Sequence, residues 1–185
     1  MDATKRALLI VLAAAIIVMA IIAGYVFIGE KPPAAAGEIV KLDVVPIHSQ
    51  LRIGEGAQGL QGGMDTYDQL LVLAQIRIQN QAKLPLFVRE ISASLELGNG
   101  DLLQSTAASK TDFQSAFVAY SQLTPFRGEP LPSDLTLQPG QACEGLVIFH
   151  YPVTKEQWDD RHSFHAVVSF QYQKDLLLPW PPGKR

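Results

Sequence analysis

The chain has 185 residues, of which 48% are hydrophobic and 18% charged, with a single cysteine and a formal net charge of −3. This apolar content excludes a disordered chain, the weakly negative balance offers no electrostatic footprint for nucleic acid, and a lone cysteine excludes an intramolecular disulfide framework. What remains is one ordinary domain plus a strongly apolar segment, and composition names no substrate or reaction.

Residues 7–28 contain no charged side chain. As a helix rising ~1.5 Å per residue they would cover roughly 33 Å, enough for the ~30 Å hydrocarbon core of a bilayer. Lys5 and Arg6 precede this run, whereas Glu30, Lys31, Pro32 and Pro33 follow it. Basic residues stay on the cytoplasmic side of a membrane. The pattern therefore predicts a cytoplasmic N-terminus over residues 1–6, a transmembrane helix over 7–28, and the bulk of the chain outside the cytoplasmic (inner) membrane. A cleaved signal peptide is the rival reading, with Ala34, Ala35 and Ala36 as a small-residue cleavage site. Signal peptides, however, use an apolar region of only about 7–15 residues. No cysteine lies just beyond the run, which argues against lipoprotein processing. Residues 29–37, rich in Pro and Ala, read as a short stiff linker.

Beyond residue 6 the chain holds 13 basic and 17 acidic side chains, a net of −4. Residues 38–179 are the right size for one domain with a single core and no need of disulfides or metal. Val40, Leu42 and Val44 give an opening strand. Over residues 70–80, Leu70, Val72, Ala74, Ile76 and Ile78 alternate with Gln75, Arg77 and Gln79, a dry face against a wet one, as in a half-buried strand. Residues 87–97 repeat this, with Ile91, Ala93, Leu95 and Leu97 inward and Glu90, Ser92, Ser94 and Glu96 outward. Asn99 and Gly100 then supply a hairpin turn, since both tolerate positive φ. Residues 143–151 are apolar on both faces around Val147, Ile148 and Phe149, which predicts a central strand. Phe164, Ala166, Val168, Phe170 and Tyr172 mark a further half-buried strand, opposite His165, Ser169 and Gln171.

Turn residues at 59–63, Pro85, 130–132, Pro139, Gly140 and Pro152 punctuate these runs, and only residues 111–122 and 154–161 have room for a turn or two of helix. The expected fold is all-β, an immunoglobulin-like antiparallel sandwich of about seven strands preceded by one transmembrane helix. Residues 101–134 read as a long Greek-key crossover, and residues 180–185 as a tail.

Residues 71–80 ending in Asn80, residues 84–88 with Leu84 and Pro85, Gly100 and Asp101, and residues 137–149 with Pro139, Gly140, Gly145 and Phe149 followed by Pro152 form an ordered pattern. It resembles the bacterial membrane-anchored extracytoplasmic immunoglobulin-like domains of unknown function, whose sandwich is shared with the mycobacterial immunoprotective antigen. The resemblance covers residues 38–178. The Gly-rich insert before Tyr67 and residues 107–132 depart from the pattern. It implies a binding or scaffolding module and carries no catalytic residues to transfer.

Several apparent motifs resolve into simpler readings. Gly54, Gly56 and Gly59 match the spacing of a dinucleotide fingerprint, but Leu60 to Asp65 cannot readily open a helix and no acidic residue lies about twenty positions on. A turn without nucleotide binding is expected. His162 and His165, three apart on a strand, point to opposite faces, as do Cys143 and His150, so no metal or cofactor is expected. Cys143 reads as a core residue, since free cysteine usually behaves as a small hydrophobe. Asp159 and Asp160 read as a solvated turn, and with no nucleophile elbow the chain is not expected to be an enzyme. Pro179 and Pro182 suit a polyproline segment that presents Trp180 to a partner, but the simpler expectation is that Trp180 folds back to cap the sandwich and that Lys184 and Arg185 end the chain.

Two function classes follow. One is a single-pass anchored module that holds the lipid bilayer through its N-terminal helix and binds another protein or itself. The sheet edges, the polar face of Gln75, Arg77 and Gln79, and the end loops are its candidate surfaces. The other is an extracytoplasmic ligand or copper carrier, for which the single Cys143 is a weak basis because such thiol ligands normally come in close pairs. A small enzyme would need a deep pocket with at least two convergent polar side chains.

Overall fold

A computed structural model describes residues 3–28, 33–52, 64–132 and 134–180. The chain divides into two compact units, Met1–Pro32 and Pro33–Arg185.

The first unit is a helix, α1 (Ala3–Ile28), continuous over 26 residues. Its backbone runs through the entire uncharged segment. Side chains are described for residues 11–24 alone, and among the described residues no helix is long and apolar enough to cross a membrane.

The second unit is built of antiparallel strands in two sheets. The first sheet has the order β1 (Ala35–Arg52), β2 (Met64–Asn80), β6 (Ala142–Tyr151). The second has the order β4 (Leu102–Thr106), β3 (Leu86–Glu96), β7 (Ser163–Phe170), β8 (Leu176–Trp180), with the short β5 (Thr136–Leu137) also on β3. Among the described residues there are thus eight strands where about seven were expected. β1 begins at Ala35, inside the expected linker, because Ala35 to Gly37 pair with Asn80 to Ile78.

The period-two pattern places the core. Leu70, Val72, Ala74, Ile76 and Ile78 of β2 are all fully buried between the sheets, where they meet Ile91, Ala93 and Leu95 of β3 and Phe164, Ala166 and Val168 of β7. The opposite face of β2 is not uniformly wet. Leu71 and Leu73 join Val45, Ile47, Leu146 and Ile148 in a second apolar cluster on the outside of the first sheet. That cluster is covered by α2 (Lys110–Ala119), through Phe113, and by a 3-10 turn (Ser121–Phe126), through Leu123. Ser109 caps α2 by accepting from the Asp112 amide at 3.2 Å, which fixes where the crossover turns into helix.

This cover corrects the expectation for residues 143–151. β6 is apolar on both faces, but β2, not β6, is the central strand of its sheet. Both faces of β6 are dry because the other sheet lies on one and the α2 segment on the other. Tyr172 is also corrected: it lies beyond β7 in a turn, with φ 62° and 98% exposure, and does not continue the inward row. Val40 faces solvent at a register shift between Ile39 and Lys41. Trp180 ends β8 opposite Phe164 and packs against the core, in line with the expected cap; residues 181–185 lie outside the described residues.

All strands run between two ends. At one, β1 starts and the loops 81–85, 138–141 and 171–175 gather; at the other lie the 97–101 turn and a short helix, α3 (Lys155–Asp159). β1 and β2 stay paired to Arg52 and Met64, whereas β6 pairs with β2 only from Leu70 onward. The β1–β2 ribbon therefore overruns its sheet by six residues of β2, roughly 20 Å at ~3.4 Å per residue.

Candidate functional site

β3 carries two partners on one edge, and they do not meet. β5 covers Leu86 and Phe87, and β4 covers Ser92 to Glu96. Backbone bonds extend each side by one step, from the Val88 amide to the Leu135 carbonyl at 2.9 Å and from the Ala107 amide to the Ile91 carbonyl at 2.8 Å. Between them Arg89 and Glu90 have no strand neighbour on that edge. The register of β3 against β7 shifts here, so that inward residues change from Leu86 and Val88 to Ile91, Ala93 and Leu95. A bulge bends the strand and re-aims its side chains.

A cavity of about 470 Å³ opens at this gap. Its apolar wall comes from Ile91, Phe113, Leu131, Leu146 and Val147, with the small Ala107 and Ala108 beside them. Arg89, Lys110, Glu90, Glu129 and Asp134 also line it, and none of these five makes an ion pair among the described residues. Glu90 accepts a hydrogen bond from the Thr106 hydroxyl at 3.3 Å. The far wall is fixed by the 129–131 segment, which pairs with β6 through the Leu131 amide to the Leu146 carbonyl (3.0 Å) and the Leu146 amide to the Glu129 carbonyl (2.8 Å). An apolar recess rimmed by unpaired charges of both signs can take an apolar side chain and orient the polar chain around it.

The predicted polar face is also present. Arg77 and Gln79 line a shallow concavity of about 320 Å³ with Ala36, Gly37 and Glu38 on the outer face of the first sheet. Gln75 sits one step along and donates to Glu144 at 3.2 Å.

The other sequence candidates are dispersed. Cys143 lies opposite Ile78 and packs against the core, where burial pushes its thiol up, with the Glu129 charge adding to the effect. His150, on the other face of β6, bonds the Gln69 side chain at 2.8 Å. His162 is exposed before β7, and His165 lies on the outer face of the second sheet beside Ser94. Asp159 pairs with Lys155 one turn away, and Asp160 caps α3. The glycine run from Gly54 to Gly59 lies outside the described residues. Among the described residues no group of three or more metal-ligating side chains is assembled.

No sequence motif marked the cavity, because its walls come from four stretches far apart in the chain. The change of phase from Val88 to Ile91 was the one local sign of it.

No family model matches the chain, and no curated relative matches it. Among solved structures it is similar to the yjhA protein from Bacillus subtilis, at 13% identity over 80% of this chain and 93% of that one, with a TM-score of 0.44. It is also similar to a functionally unknown protein from Listeria monocytogenes EGD-e, at 13% identity over 83% and 80% of the two chains and a TM-score of 0.41. A conserved hypothetical protein from Bacillus anthracis is similar at 17% identity over 78% and 99%, with a TM-score of 0.32.

Proposed function

We propose that this chain is a single-pass, membrane-anchored module whose immunoglobulin-like sandwich stands outside the cytoplasmic membrane and binds a protein partner or a second copy of itself. The anchor is supported by α1, whose helical backbone covers all of residues 7–28. Lys5 and Arg6 on its short side support the outward orientation. The crossings of β2 to β3, β5 to β6 and β6 to β7 from one sheet to the other support the sandwich.

The observation that carries the binding role is the side cavity at the β3 gap. Its apolar wall suits one inserted side chain, and a lining that holds Arg89 and Lys110 as well as Glu90, Glu129 and Asp134 suits a zwitterionic peptide surface more than a simple anion or a lipid tail. Tethering in one membrane raises the effective concentration of partner and module, so a small contact suffices. The copper-carrier alternative draws no support from Cys143, which is turned into the core away from His150.

The test is a photo-crosslinking residue at Lys110 of the full chain in intact cells, with an equal probe at Asn99 as control. One reproducible adduct is expected at Lys110 alone, and Arg89→Glu should lower its yield about tenfold through like-charge contact. No adduct at Lys110, or the same adducts from both positions, would reject the cavity as the binding surface.

A further inference from the structure

We infer that the sandwich end formed by the 81–85 and 171–175 loops rests on the lipid headgroups of the membrane that holds the chain, an inference that depends on the anchored reading above. Three large apolar side chains project from this end: Leu84 is 70% exposed, Phe87 45% and Tyr172 98%. The Gln171 amide donates to the Phe87 carbonyl at 2.9 Å, which ties the loop that carries Tyr172 to the start of β3, just after the loop that carries Leu84. Their exposure is built in. The buried Asn80 amide group donates to the Leu84 carbonyl at 2.9 Å, and the Gln81 and Ala82 amides donate to Ala34, so the first loop is held in place.

Lys83 and Lys174 flank these residues, and the two loops carry only Asp175 against them. The rest of the outer chain is acidic. At the opposite end, residues 96–101 and 152–162 hold Glu96, Asp101, Glu156, Asp159 and Asp160 against Lys155 and Arg161. A body with a net charge of −4 is repelled by an anionic surface as a whole, whereas the two loops at this end carry two lysines against one aspartate. Tyr with Lys beside exposed aliphatic groups is the chemistry of the headgroup region, where a ring is half wet and an ammonium meets phosphate.

The chain also enters at this end. Ala34 is bonded to the 81–85 loop, and Pro33 is five positions after Ile28, the last residue of α1. Five residues span at most ~18 Å when fully extended. Under the anchored reading this tether keeps the end within reach of the headgroups, while the overrunning β1–β2 ribbon points the other way.

The test uses the full chain with Cys143→Ser, reconstituted in phosphatidylcholine–phosphatidylglycerol vesicles. Single nitroxides are placed in turn at Leu84→Cys, Tyr172→Cys and, at the far end, Asn99→Cys. Collision with a water-soluble nickel chelate should be about fivefold or more lower at 84 and 172 than at 99, and Lys83→Glu with Lys174→Glu should abolish most of that protection. Flotation of the protein with carbonate-washed vesicles reports the anchor separately. Protein that floats yet is as accessible at 84 and 172 as at 99, or protection unmoved by the two charge reversals, overturns the inference and leaves the anchor standing. Protein that does not float overturns both.

Discussion

The Tyr151 hydroxyl donates to the Ala93 carbonyl at 2.9 Å, joining the last residue of β6 in one sheet to the middle of β3 in the other. The ring is fully buried and stands edge-on to Phe164 at 6.4 Å. Tyr151→Phe keeps the volume and removes only the bond between sheets. It should cost about 1–2 kcal/mol, read as a lower urea midpoint with an unchanged slope. An unchanged midpoint would mean that the Ala93 carbonyl is fully satisfied without the phenol.

The same residue sets an alkaline limit. Burial raises the Tyr151 phenol above its ordinary range, so the folded state holds a proton that the unfolded state releases from about pH 10 upward. Its contribution is complete below that pH and is lost as pH climbs toward the folded value, at about 1.4 kcal/mol per unit. Urea midpoints measured from pH 8 upward should fall above pH 10 in the wild-type chain and fall less in Tyr151→Phe. Parallel curves for the two would assign the alkaline limit to other groups.

The inner faces of the strands were legible because burial repeats every second residue, and Leu70 to Ile78 or Phe164 to Phe170 can satisfy that pattern in only one way. The outer cover was harder to see. Leu71 and Leu73 break the wet face of β2, and Val45, opposite Leu71, and Ile47, opposite Gln69, do so on the same face of β1. Those four residues were the available sign that something lies on this sheet. The expected crossover over residues 101–134 in fact opens with β4, whose Leu102 to Thr106 pair with β3, and its later apolar side chains, Phe113 and Leu123, belong to α2 and the 3-10 turn, so they show no strand alternation. The cavity was illegible for a different reason: Arg89, Lys110, Glu129 and Leu146 become neighbours only through pairing between segments that no local pattern links.

Asn80 was visible as the polar end of a dry strand, and its role is now specific. Its side chain is 1% exposed. It donates to the Leu84 carbonyl at 2.9 Å and the Leu137 carbonyl at 2.8 Å, and accepts from the Ala82 amide at 2.8 Å. Asn80→Ala removes the side-chain donors of the Leu84 and Leu137 carbonyls, while the Ala82 amide keeps its bond to Ala34, and should cost about 2–4 kcal/mol. Asn80→Asp keeps the acceptor but turns a carboxylate toward two carbonyls, so its urea midpoint should be at least as low. An aspartate variant as stable as the wild type would remove the two donated bonds from the account.

Gly145 lets the cavity wall close on β6. A Cβ placed there would lie 2.7 Å from both the Leu131 nitrogen and its Cα, backbone atoms that cannot swing aside. Gly145→Ala should push the 129–131 segment off the strand, breaking the Leu131 to Leu146 bond and widening the cavity. Faster amide exchange at Leu131, with slow exchange retained in β2, is the expected signature. Uniform exchange across both would mean that the whole sheet, not the wall, has yielded.

Phe113 separates a structural helix from a decorative one. It is the buried residue of α2, its ring centroid lies 5.1 Å from that of Phe117, and it lines the cavity on one side while covering the second apolar cluster on the other. If α2 completes the outer face of the first sheet, Phe113→Ala removes a large ring from the cluster that holds Leu71, Leu73 and Ile148 and should cost about 3–5 kcal/mol by urea unfolding. A helix that merely bridges β4 to β5 would lose less than about 1 kcal/mol, the ordinary range for surface substitutions away from a core. Phe113→Leu restores most of the apolar area but leaves a void beside Phe117. It should recover over half of the loss, whereas Val118→Ala, on the exposed side of the same helix, should leave the midpoint unmoved. Equal loss in the Phe113 and Val118 variants would count against the covered face as its source, since alanine is the better helix former at both positions.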